Sequence, residues 1–140
     1  MDNYKNIVIF GSRTLTDVRV KDIILEAINR YNPESISTSG ETAGVCEVAR
    51  EMAKENAITL VLKYANRNKY AAGMYEHRAI EILKDANMVI FIHDGISKGT
   101  KNEIDLAIKM GLPHEIHTLS LENEDHEEET WIVKTLWDGI

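Results

Sequence analysis

Apolar residues in this 140-residue chain fall into short continuous runs, separated by stretches where they recur every three or four positions. Ile7-Val8-Ile9-Phe10 is a four-residue run ending at Gly11, as expected of a strand buried on both faces. Val20, Ile23, Ile24, Ala27, Ile28 and Tyr31 follow at helical spacing, with Asp17 placed to cap that helix and Asn32-Pro33 to stop it. Ser35–Ser39 predicts a second, more polar strand, ending at Gly40. Val45, Val48, Ala49, Met52 and Ala53 outline the next helix, and Ile58–Leu62 a third strand rich in β-branched residues. A helix is expected from about Met74 to Lys84, and Ala86–His93 is the most apolar strand of the chain. Thr100–Met110 reads as a helix closed by Gly111 and Pro113, Ile116–Leu119 as a last strand, and Trp131–Trp137 as a terminal amphipathic helix.

Strands alternating with helices imply βαβ units. The expected fold is α/β and Rossmann-like, a mainly parallel five-stranded sheet with helices on both faces. One domain is expected over residues 1–120, with the acidic segment and C-terminal helix of 121–140 packed on it. No internal repeat or low-complexity segment interrupts the pattern.

Composition narrows the function classes. A net charge of −7 argues against generic nucleic-acid binding, which needs clustered Lys and Arg. Much of the acid sits in Glu122–Glu129, read as a solvated linker and the first turn of the last helix. No apolar run is long enough to span a bilayer, so no membrane association is expected. The polar start and the short run at Ile7 predict no export signal, and the single Cys46 fits a reducing cytoplasm.

Candidate chemistry sits where three strands end. Their turns read Phe10-Gly-Ser-Arg-Thr14, Ser39-Gly-Glu-Thr-Ala-Gly44 and Asp94-Gly-Ile-Ser-Lys-Gly-Thr100. In open α/β sheets ligands bind beyond the carboxyl ends of strands, where glycine admits close backbone approach and a helix N-terminus attracts an anion. The ligand-binding candidates are Gly11, Ser12, Arg13, Gly40, Glu41, Thr42, Gly44, Asp94, Gly95, Ser97, Lys98, Gly99 and Thr100. Each glycine also has a plainer use in turning the chain. Neither G-x-G-x-x-G nor G-x-x-x-x-G-K-[ST] is present, which disfavours NAD-dependent redox chemistry and P-loop NTP hydrolysis, and no cofactor is expected.

These turns, taken with Lys69-Tyr-Ala-Ala-Gly73, resemble the SLOG superfamily, in particular its small single-domain YspA-like branch. The resemblance covers about Ile7 to Pro113. It implies a Rossmann-like domain that binds a nucleotide or nucleotide-derived molecule, as a sensor or as an N-glycosidic hydrolase. It adds Gly73 to the candidates. Where that branch has an Arg-Asn pair this chain has Glu76-His77, with Arg78 one step later as the substitute candidate. A one-residue shift turns a helical side chain by about 100°. Where the branch ends its second loop in Gly-x-Asp, this chain reads Gly44-Val45-Cys46 and lacks the carboxylate.

Gly99-Thr-Lys-Asn-Glu103 is similar to the G-T-x-x-E segment of LONELY GUY-type phosphoribohydrolases and nucleoside deoxyribosyltransferases. That similarity implies a catalytic Glu103 acting at the ribose anomeric carbon, where a carboxylate can stabilise oxocarbenium character or trap it covalently. Placed in the first turn of its helix, Glu103 could equally serve only to complement the dipole.

Three functions therefore stand: binding of a nucleotide-like small molecule, N-glycosidic cleavage of a nucleoside 5′-monophosphate, and a protein-interaction module with a vestigial pocket. No Cys/His cluster has zinc spacing, so no metal is expected. His93 either faces the pocket or is a half-buried, hydrogen-bonded residue, and Cys46 reads as small core. Tyr64, Tyr70 and Tyr75 are candidates to stack on a base. Trp131 and Trp137 lie about 120° apart around their helix, which frees one for a homodimer interface.

Overall fold

The computed structural model describes residues 4–63 and 73–121. Within them the chain runs β1 (Asn6–Gly11), α1 (Val18–Tyr31), β2 (Ser35–Ser39), α2 (Val45–Glu55), β3 (Thr59–Lys63), α3 (Met74–Leu83), β4 (Met88–His93), α4 (Lys98–Lys109) and β5 (His114–Thr118). The described strands form one five-stranded sheet in the order β3-β2-β1-β4-β5, and every pairing is parallel. This is the Rossmann-like α/β arrangement.

Strand alternation divides the core in two. β1 and β4 pair with Phe10 opposite Phe91 and Ile9 opposite Ile90. Ile7, Ile9, Ile36, Ile90 and Ile92 face one side and pack with Val20, Ile24, Val48 and Met52 of α1 and α2. Val8, Phe10, Val89 and Phe91 face the other and pack with Ala79, Ile82, Leu83, Ile104 and Ala107 of α3 and α4. Fully burying each of these larger side chains stabilises by about 1.5–3 kcal/mol. Helices therefore cover both faces, which is why the two central strands read as unbroken apolar runs.

The polar strand β2 is buried because its hydroxyls find partners. Thr38 donates to the Ile9 carbonyl at 2.6 Å, and Ser35 and Ser37 both donate to Asn6 Oδ1. Asp17 caps α1 by accepting from the Arg19 amide, and Asn32 ends that helix in the left-handed conformation.

Several boundaries lie a residue or two from those expected, β3 at Thr59–Lys63 and the start of β4 at Met88 among them, and two have a clear physical reason. β5 runs from His114 to Thr118 rather than Ile116 to Leu119, because each residue pairs with β4, starting at Val89 opposite His114. As an edge strand it buries little, so hydrophobic pattern marks it poorly. Helix α4 starts at Lys98, two residues before Thr100. The preceding turn closes on Asp94, whose carboxylate accepts from the Ile96 and Ser97 amides, so the helix begins directly after Ser97. Tyr64, Tyr70, the side chain of Tyr75, the acidic run of 122–129 and both tryptophans lie outside the described residues. No helix among the described residues is long and apolar enough to cross a membrane.

Candidate functional site

β1 lies between β2 and β4, so the connection leaving β1 and the one leaving β4 diverge to opposite sides. That topological switch opens a crevice at the carboxyl edge, where α/β proteins of this kind hold their ligands. A cleft of about 960 Å³ occupies it, a size suited to a small molecule. Gly11, Ser12, Arg13 and Thr14 line it from the turn after β1, and Glu41 from the turn after β2. Glu76, Arg78 and Ala79 of α3 close another side, and α4 presents Gly99, Thr100, Asn102, Glu103, Asp105, Leu106 and Lys109 behind Ser97.

Of the residues singled out in the sequence, the cleft thus gathers Gly11, Ser12, Arg13, Glu41, Arg78, Ser97, Gly99, Thr100 and Glu103. Gly40, Thr42, Gly44, Gly73, Asp94, Gly95 and Lys98 are not in its wall. Two of these shape the wall from behind. Gly44 adopts φ +79°, and a Cβ there would come within 2.3 Å of Arg13 Cα and 2.5 Å of the Ser12 carbonyl. Only glycine lets α2 start against the β1 turn.

Asp94 is the second such residue. Burial would raise the pKa of its carboxyl, but hydrogen bonds from the Ser97 and Thr14 hydroxyls and from the Ile96 and Ser97 amides outweigh that cost. They hold it well below the usual carboxylate range. Asp94 therefore stays charged and ties the turn after β4 to the turn after β1. Its own amide donates to Ser12 Oγ at 3.0 Å, and Ser12 Oγ lies 3.5 Å from Thr100 Oγ1.

Ser97 stands at the N-cap of α4 but makes no capping bond with its side chain, because its hydroxyl is committed to Asp94 at 2.7 Å. The first amides of a helix have no partner within it. Gly99 and Thr100 of this first turn line the cleft, and a helix N-terminus is a setting that favours an anion. A Cβ at Gly99 would meet nothing within 4 Å, so the space in front of this turn is open.

Arg78 occupies the opposite part of the cleft. Its side chain is 8% exposed, and Nη2 lies 3.7 Å from Glu41 Oε2 and 3.9 Å from Glu103 Oε2. The arginine displaced by one position in sequence thus reaches the site, since the register of α3 aims residue 78 inward beside the buried Ala79. Glu103 is largely buried, which is the main reason its carboxyl is pushed up to about 8. Arg78 opposes the rise and the nearby Glu41 adds to it.

With α4 starting at Lys98, Glu103 is the sixth residue of the helix and not part of its first turn. The macrodipole acts mainly within that first turn, so dipole compensation does not explain this glutamate. It stands four residues after Gly99, on the same helix face and about 6 Å further along the axis. Asn102, Leu106 and Lys109 share that face and escaped notice in the sequence. Helical spacing from Gly99 and Glu103 would have found them. His93 is half-buried and hydrogen-bonded to the Ser97 carbonyl at 3.1 Å, outside the cleft wall. Cys46 is buried in the core.

The fold and cleft define a Rossmann-like α/β protein with a ligand-sized site at its switch point. Comparisons with family models, curated proteins and solved structures give no match.

Proposed function

We propose that this chain binds a nucleotide or nucleotide-derived small molecule in the switch-point cleft, as a SLOG-type domain. One observation carries the reading. The open N-terminus of α4 and the turn after β1 converge on a single cleft that continues to the buried Arg78. The anionic end of the ligand rests on Gly99, Thr100 and the β1 turn, with Arg13 contributing charge. Its sugar and base extend toward Arg78, Glu41 and Glu103. Thermal-shift titration with matched nucleotides and nucleosides tests this: nucleotides raise the melting temperature clearly more, and equal shifts would overturn the reading.

A second reading, N-glycosidic cleavage of a nucleoside 5′-monophosphate, is favoured by the placement of Glu103. It lies one helical turn beyond the proposed phosphate seat, a separation of the same order as that between a ribose 5′-phosphate and its anomeric carbon. Incubation with a panel of nucleoside monophosphates, followed by chromatography for free base, tests it.

A further inference from the structure

Two carboxylates and one guanidinium meet at the inner part of the cleft. Glu41 and Glu103 each lie within 4.0 Å of the same nitrogen of Arg78, whose side chain is 8% exposed. One guanidinium thus faces two carboxylates, and a like charge nearby together with burial favours a proton on the more buried of them. Glu103 is the deeper of the two, its side chain 17% exposed against 25% for Glu41. The Glu41 backbone is also gripped by a second guanidinium, since Arg50 donates to the Glu41 and Ser39 carbonyls.

Other charged groups line the cleft: Arg13, Glu76, Asp105 and Lys109. The proton affinity of Glu103 is raised chiefly by burial, opposed by the charge of Arg78 and raised further by that of Glu41.

We infer that Arg78, Glu41 and Glu103 form a one-proton site, with the proton on Glu103, and that Glu103 delivers it to the leaving base of a nucleoside 5′-monophosphate. This rests on the second reading above and changes the role that sequence similarity implies for Glu103, from charged stabiliser or nucleophile to acid. The bond from the anomeric carbon to the base nitrogen breaks, and the nitrogen keeps the electron pair and takes the Glu103 proton. The base leaves neutral. Water adds to the oxocarbenium carbon and gives up one proton, which returns to Glu103. The products are free base and ribose 5-phosphate. Glu41, 3.7 Å from Arg78 Nη2, is the second carboxylate beside the developing positive charge.

Two measurements on the full chain test this. Carbon-13 NMR of labelled glutamate gives the titration midpoint of Glu103 without any ligand. The expected midpoint lies well above the ordinary carboxylate range and falls by at least about one unit in Glu41→Gln, which removes the like charge. An ordinary midpoint in the wild type, which needs no variant to fold, overturns the one-proton site, as does a midpoint indifferent to Glu41→Gln.

The second measurement compares a nucleoside monophosphate with ribose 5-phosphate carrying p-nitrophenol at the anomeric carbon, whose leaving group needs no proton. Glu103→Gln slows base release about 100-fold or more but leaves nitrophenol release within a few-fold. Equal losses on both substrates overturn acid catalysis in favour of a charged stabiliser. If wild type releases no base while the NMR midpoint is raised, the delivery step fails and the one-proton site stands. Nucleotide binding is read separately by thermal shift.

Discussion

The Thr14 hydroxyl donates to Asp94 Oδ2 across 2.7 Å, joining turns that are 80 residues apart in sequence. Through this bond and those from Ser97 and Ile96, one buried carboxylate sets the spacing of the two loops that frame the cleft. Asp94→Ala leaves these donors without their charged acceptor and is expected to cost about 2–4 kcal/mol in urea denaturation. Because folding depresses this carboxyl, its contribution is present above its unfolded value and is lost as pH falls through the folded one. The wild-type advantage over Asp94→Ala therefore shrinks in strong acid.

Gly99→Val separates binding from folding. The new side chain enters open space at the mouth of the cleft, and valine suits a helix at least as well as glycine. Stability without ligand stays within about 1 kcal/mol of wild type. Under the proposed function, the stabilisation expected from a nucleotide, about 2.7 kcal/mol at roughly 100 times Kd, should disappear. Circular dichroism and thermal shift read the two effects, and an undiminished nucleotide shift would place the anion elsewhere.

Gly44→Ala should do the reverse and damage the fold first. A left-handed φ and overlap with the backbone of Ser12 and Arg13 cannot both be relieved without moving α2 off the β1 turn. The expected loss is about 3 kcal/mol or more, seen as a lower denaturation midpoint.

Glu103 gives the protein a pH-dependent stability that Glu103→Gln removes. The folded state binds this proton more tightly than the unfolded chain, so wild-type stability falls as pH rises from about 4.5 to about 8. The slope is at most about 1.4 kcal/mol per pH unit, and above that window it levels off. Glu103→Gln carries no such charge and should gain on wild type across the same interval. Parallel stability curves for the two proteins would show that Glu103 titrates normally.

Much of this architecture was legible in the chain itself. The unbroken run Ile7–Phe10 and its counterpart Met88–Ile92 announce strands covered on both faces, and Gly11 after the first run lines the cleft at their carboxyl edge. Buried β-strands and amphipathic helices are set by residues close in sequence, so periodicity finds them. Asp17 as a helix cap is equally local. Edge strand β5 was blurred because half-exposed positions carry little hydrophobic signal.

The candidate site is different in kind. That Asp94 is a tie between loops, that Ser97 surrenders its capping hydroxyl to it, and that Gly44 buttresses Arg13 all depend on contacts between distant turns. The strongest case is Arg78. Sequence places it one step from the expected position, on a helix whose rotation is decided by which side chains it buries against the sheet. Only the packing of α3 beside α4 brings it to Glu41 and Glu103, residues separated from it by 37 and 25 positions. Desolvation, which raises the proton affinity of Glu103, is likewise a property of the surrounding fold and not of any local motif.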